Sequence, residues 1–221
     1  MSLFSRPPPT AARIMHVEFL VEEPSAEAAL VGLLPKLLGP RVSWQIHAHQ
    51  GKTDLMTKLP GRLKGYAHWL PVDWHIVVLI DEDRQDCRQL KQQMEDAARA
   101  AGLRTRSTRR GSQRFHVVNR IAVEELEAWF FGDVPALCAA YPGVPDTLEN
   151  KRGFRDSDAI TGGTWEALER VLQQAGYHQA GLPKIEAARV IAHHMDPTRN
   201  RSRSFCCFRA ALAELLAAET T

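Results

Sequence analysis

The chain has 221 residues, of which 44% are hydrophobic and 24% charged. These values suit one packed globular domain with an extension and exclude a disordered or fibrous chain. A net charge of +2 favours neither nucleic acid nor membrane, so any electrostatic argument rests on where the charges lie. The longest apolar runs, around 76–80 and 129–131, fall far short of the roughly 20 residues that cross a bilayer. Cys87, Cys138, Cys206 and Cys207 have no CxxC spacing, which points to reduced, buried thiols in the cytoplasm rather than to zinc or a disulfide framework.

Met1–Arg13 holds three consecutive prolines and no apolar stretch of the secretory kind, and reads as a disordered leader. His16–Val21 reads as a strand. Pro24 and Ser25 then open a helix whose leucines, from Leu30 to Leu38, recur at helical spacing until Gly39 and Pro40 stop it. Val42–Ala48 is a second strand, and Thr53–Tyr66 a helix that Pro60 and Gly61 should shorten or kink. His75–Ile80 is a β-branched run of the type buried on both faces of a parallel sheet. Cys87, Leu90, Met94 and Ala98 share a helical face, with Gly102 as the stop. Phe115–Val118 gives a fourth strand, and Val123, Leu126 and Phe130 a helix that follows almost at once, with Trp129 and Phe130 in the core.

This alternation predicts an α/β fold, a parallel sheet with helices on both faces. Beyond Asp133 only helical periodicity is strong, at Thr164–Ala175, Lys184–His194 and Cys206–Ala218. The stretch Pro142–Gly163, rich in Gly, Pro, Asp and Asn, separates them from the sheet. The expected division is 1–13 as leader, 14–135 as the α/β domain, and 136–221 as a helical extension packed on it.

Ligands of parallel α/β sheets meet the C-terminal ends of strands, and here those ends are acidic. Glu22 and Glu23 follow the first strand, Asp81, Glu82 and Asp83 the third, and Glu124, Glu125 and Glu127 the fourth. Carboxylates gathered at one edge repel each other unless a cation lies between them, and oxygen donors without Cys or His favour Mg²⁺ or Mn²⁺. Asp81 and Asp83 sit two apart, so continued strand geometry would point both to one side.

These residues resemble a known pattern. Leu20-Val21-Glu22-Glu23-Pro24-Ser25-Ala26-Glu27 looks like the first motif of Toprim domains, and Asp81-Glu82-Asp83 like their DxD motif. With His49-Gln50-Gly51-Lys52, the run Asn119–Trp129 and Ser202-Arg203-Ser204-Phe205, the chain after Arg13 resembles the bacterial domain-of-unknown-function family 4276. The resemblance implies a Toprim-like fold, a distant similarity to overcoming-lysogenisation-defect nucleases, and a place in anti-phage defence beside an ATPase. By motif, Glu22 is the strand-one glutamate, Asp81 and Asp83 bind the metal, and Glu127 is a further acid. Toprim chains often place Gly after the glutamate where Glu23 stands here, which keeps Glu23 as the alternative to Glu22.

Two basic features accompany the acids. Gly51-Lys52-Thr53 is no P-loop, since Ile46 stands where that motif needs Gly, yet Lys52 at a helix start could contact phosphate. From Arg104 to Arg120 there are six arginines, Arg109, Arg110, Arg114 and Arg120 among them, and no acid. Such a loop suits a phosphate backbone gripped without sequence reading. The leading expectation is therefore Mg²⁺-dependent phosphodiester hydrolysis of DNA or RNA, with no membrane association and room for oligomers. The alternatives are a non-hydrolytic, receiver-like module that binds cation or phosphate, and strand transfer by a tyrosine, for which Tyr66, Tyr141 and Tyr177 have no recognisable context.

Overall fold

Four strands, β1 (Met15–Val21), β2 (Val42–Ala48), β3 (Trp74–Asp81) and β4 (Val117–Ala122), form one parallel sheet in the order β2-β1-β3-β4. The computed structural model describes residues 15–83, 85–111 and 113–218; the leader expected over 1–13 lies outside them. β1 and β3 are central, and their near-continuous apolar sequence matches burial on both faces. The α/β class expected from the alternation is the fold observed. Registers Val21↔Ala48, Val21↔Leu79 and Asp81↔Ala122 align the C-terminal ends of the strands at one edge.

Helices α1 (Pro24–Leu38), α2 (Lys52–Trp69) and α3 (Cys87–Ala100) connect the strands, and α4 (Glu127–Phe131), α5 (Val134–Ala140), α6 (Thr164–Gln174), α7 (Lys184–His194) and α8 (Arg203–Ala218) follow β4. On one face α2 and α3 bury Leu59, Leu63 and Met94 against Leu20, Ile76 and Val78. On the other, α1 and the helices after β4 share a single core with Phe19, Val77 and Leu79. Trp129 sits fully buried there between Phe205 and Phe208, with ring centroids 5.2 and 5.1 Å away, and its indole N–H donates to Ser204 Oγ at 2.8 Å. Burial of Phe130 and Phe131 contributes roughly 1.5–3 kcal/mol each. The stretch Pro142–Gly163 is tied into this core. It forms three short 3₁₀ turns, buries Leu148 and Ile160, and its Asp158 carboxylate accepts from Ser202 Oγ and the Ser204 N–H.

Several local expectations are corrected. Pro60 and Gly61 neither shorten nor break α2, which runs unbroken to Trp69. Leu55, Leu59, Leu63 and Tyr66 anchor it to the sheet while Pro60 stays on the exposed side, so packing outweighs one lost backbone hydrogen bond. The fourth strand starts later and runs further than Phe115–Val118, because Asn119 is buried inside it and its amide donates to Glu95 at 3.1 Å. The next helix begins only at Glu127, and α5 has no counterpart in the sequence reading. The thiols are free, but Cys87, Cys138 and Cys206 are half-buried and Cys207 is exposed. No helix among the described residues is long and apolar enough to cross a membrane.

Gly132, between α4 and α5, is fixed by space. A Cβ there would run into Asn200 Oδ1 and lie 2.8 Å from the Ser202 backbone nitrogen. The Asn200 amide is committed to Trp129 O at 2.7 Å and cannot yield freely. Gly132→Ala should therefore lose about 1–3 kcal/mol of stability, read as a lower midpoint in urea unfolding with an unchanged slope.

Candidate functional site

The acidic residues meet at the sheet edge where β1 and β3 end. Glu22 follows β1 directly, is 9% exposed, and its Oε2 accepts the Asp81 backbone N–H at 3.1 Å. Glu23 instead caps the start of α1, is half-buried and takes the Ser25 hydroxyl at 2.5 Å. Glu22 is thus the strand-one acid in contact with the third strand.

Burial, then Glu127, Glu22 and Asp83, hold the Asp81 carboxyl well above the usual carboxylate range. Burial also raises Glu22, offset in part by the Asp81 N–H and by Lys52. Glu127, 3% exposed at the start of α4, is pushed up by burial to about 7, with Lys184 pulling the other way. Burial therefore penalises the charge of all three acids, and Asp81 additionally meets the charges of Glu22 and Glu127.

Asp83 joins by a different route from the one expected. Strand alternation stops at Asp81, and Asp83 lies in a left-handed turn with φ of 47°. Glu124 after β4 is left-handed too, with φ of 61°. The two turns are locked together: Glu82 N–H donates to Ala122 O at 2.9 Å, Asp83 N–H to Glu124 O at 3.0 Å, and Glu124 N–H to Glu82 Oε2 at 3.2 Å. Left-handed non-glycine residues cost of order 1–3 kcal/mol each and concentrate at functional sites.

Lys52 supplies the nearest cation. Gly51, at φ of 92°, makes the turn a side chain would resist, and its N–H donates to Glu22 O at 2.9 Å. That turn sets Lys52 at the first position of α2, where Nζ lies 2.9 Å from Asp83 Oδ2 and donates to Glu82 O at 2.9 Å. His49, beside it, is buried, which pushes its imidazole pKa down, and its Nδ1 lies 2.9 Å from Val21 O.

Of the arginine segment, residues 104–116 are not brought to the acids. Residues 104–116 precede β4 and lie at its N-terminal end, about one strand length, roughly 20 Å, from the acidic edge. It is also not a free loop. Arg106 and Arg109 pair with Glu214 of α8, the latter at 3.0 Å, and Arg109 lies 5.1 Å over the Phe115 ring. Arg104 donates to Arg114 O at 2.7 Å, Arg110 sits in the same turn, and Arg120 is a half-buried residue within β4.

Two other charged residues near the site, Lys184 and Glu166, carried no signal in the sequence, and Glu125, expected among the acids, has a structural task. Lys184 at the start of α7 lies 4.7 Å over the Trp165 ring and acts on Glu127. Glu125 is structural, its Oε2 accepting the Thr164 N–H, the Thr164 hydroxyl and the Trp165 N–H to cap α6. Glu166 lines a cavity of about 120 Å³ with Asp83, Glu124 and Glu125, and its Oε2 is buried without a partner. No spacing rule links a lysine or glutamate of α6 and α7 to acids so distant in the chain.

Among the described residues no three His, Cys, Asp or Glu side chains form a group that could hold a metal ion unaided. The donors at the lip are all oxygens, the chemistry Mg²⁺ and Mn²⁺ prefer. Mg²⁺ in particular is commonly held by one or two carboxylates with substrate phosphate completing the shell. Glu22 and Asp81 offer two such carboxylates at this lip, and a closed all-protein cage is absent among the described residues.

No curated protein and no solved structure is significantly similar to this chain. The model of the family described as "Domain of unknown function (DUF4276)" matches residues 21–216, from the last residue of β1 into α8, and the chain belongs to that family.

Proposed function

We propose that this protein is a Mg²⁺- or Mn²⁺-dependent phosphodiesterase acting on nucleic acid. The observation that carries the reading is the convergence of Glu22 and Glu127 on Asp81, whose carboxyl is held well above the usual range by burial and by the charges of both. Stable folds rarely keep such repulsion without a ligand that relieves it. The likeness of the Glu22 and Asp81-Glu82-Asp83 segments to Toprim motifs supports the same chemistry. The family resemblance supports a role in anti-phage defence with an ATPase partner, and the free thiols suit the cytoplasm.

Glu22 and Asp81 would hold the ion, with Asp83 turned towards them and steadied by Lys52. The bound ion would stabilise charge on the phosphoryl oxygens and make its water acidic enough to attack near neutral pH. Glu127, titrating at about 7, is suited to accept a proton from the attacking oxygen and return one to the leaving oxygen. Lys52 at the helix start can meet a phosphate oxygen once it exchanges from Asp83.

Purified full-length protein, alone and with its ATPase, should cut DNA or RNA with Mn²⁺ or Mg²⁺ and not with EDTA. Absence of cutting under every one of these conditions would remove the proposal. The Lys52–Asp83 ion pair favours one second reading, a receiver-like module that binds cation or phosphate without hydrolysis. A stable mass increase on Asp81 after treatment with a small phosphodonor would select it.

A further inference from the structure

Between α2 and α3 runs an open groove of about 790 Å³, within the range of ordinary ligand pockets. Its floor is apolar, with Met56, Leu59 and Leu90. One wall carries Thr53 and Thr57, a turn apart on α2, and the other Gln85, Gln89 and Gln93, spaced by four along α3 and the turn before it. Among the described residues, none of these amides and hydroxyls has a side-chain hydrogen-bond partner. Lys52 stands at the mouth, so the groove is continuous with the acidic lip. The only other charged group lining it is Asp86, whose carboxylate is engaged by the Arg88 and Gln89 N–H groups at 2.8 and 3.3 Å.

We infer that this groove holds the unpaired bases of a single-stranded nucleic acid whose phosphate lies at Lys52 and the acidic lip. The inference rests on the phosphodiesterase reading and names its substrate class. A surface that grips duplex needs a row of cations for two phosphate backbones, and this lining has one. Unpaired bases present flat apolar faces and uncharged hydrogen-bonding edges, which match an apolar floor below free amides and hydroxyls. Glutamine amides can pair with two atoms of an adenine edge at once, and an unpaired base also offers the Watson–Crick edge that a duplex occupies.

The test uses the full chain and a short fluorescein-labelled DNA oligonucleotide, single-stranded or annealed to its complement. Binding is read by anisotropy with Mg²⁺ on the Asp81→Asn protein, which would not cut its probe; cleavage is read on the otherwise wild-type chain. The single strand should bind more tightly than the duplex. Adding Gln89→Leu with Gln93→Leu, or separately Thr57→Trp to fill the groove, should weaken single-strand binding roughly tenfold and leave the unfolding midpoint within error, since all three positions are exposed. Equal or tighter duplex binding, or unchanged single-strand binding in both groove variants, would overturn the inference. If the groove variants lose binding while the wild-type chain cuts nothing, the groove stands and hydrolysis falls. If Asp81→Asn abolishes cutting while the groove variants bind and cut normally, hydrolysis stands and the groove falls.

Discussion

Asp81→Asn should abolish metal-dependent cutting and at the same time stabilise the fold. Asparagine keeps the shape of the side chain, and the backbone N–H that Glu22 accepts is untouched. What disappears is a carboxylate whose charge is opposed by burial and by Glu127, Glu22 and Asp83. Removing one preorganised electrostatic group of a reaction centre lowers turnover by about 10²–10³-fold, and loss of an ion-holding carboxylate belongs at or beyond that scale. Relief of the repulsion should raise the melting temperature without metal. Mn²⁺ should raise the melting temperature of the wild-type chain and have little effect on the variant. A variant that cuts at the wild-type rate, or that melts lower, would show that Asp81 is an ordinary structural acid.

Glu127 makes the second prediction through pH. Its carboxyl is raised from 4.5 to about 7, so the folded chain binds its proton more tightly than the unfolded chain. The associated stability is fully present below pH 4.5 and is lost as pH rises through about 7. At 1.36 kcal/mol per pH unit that interval is worth about 3 kcal/mol. Glu127→Gln should therefore leave stability unchanged near pH 4 and raise it by about 3 kcal/mol at pH 8, a rise in melting temperature of roughly 6–12 °C. The raised Asp81 and Glu22 carboxyls act in the same direction, so stabilisation by Mg²⁺ should be greater at pH 8 than at pH 5, where protons compete for the same oxygens. Parallel thermal melts of both chains across this range would check the claim. Curves that differ by a constant at every pH would contradict it.

The periodicities of the chain carry the fold class because they record burial directly. The apolar run at His75–Ile80 has no polar face to offer water, and β3 is buried on both sides. The leucines of α1 fall on one side for the same reason. The acids after β1 and β3 were also legible, since residues that end parallel strands must emerge at one edge. Where the reading failed, a partner distant in the chain had changed the balance. The fourth strand is expected to end at Val118, yet it runs on through Asn119, which meets the Glu95 carboxylate of α3, and Pro60 is expected to shorten or kink a helix that Leu59 and Leu63 hold under the sheet to Trp69. The arginines of 104–120 read as a free basic loop until Glu214, on the last helix, pairs with two of them.

The alternation of strands and helices and the carboxylates at the strand ends follow from local pattern and the handed geometry of the chain alone. Which acids come together, the left-handed turn at Asp83 and the commitment of Arg106 and Arg109 to Glu214 at the far end of the sheet emerge only from long-range packing. Charge–charge energies depend on distance and burial, and neither quantity exists until the helices after β4 have closed over the sheet.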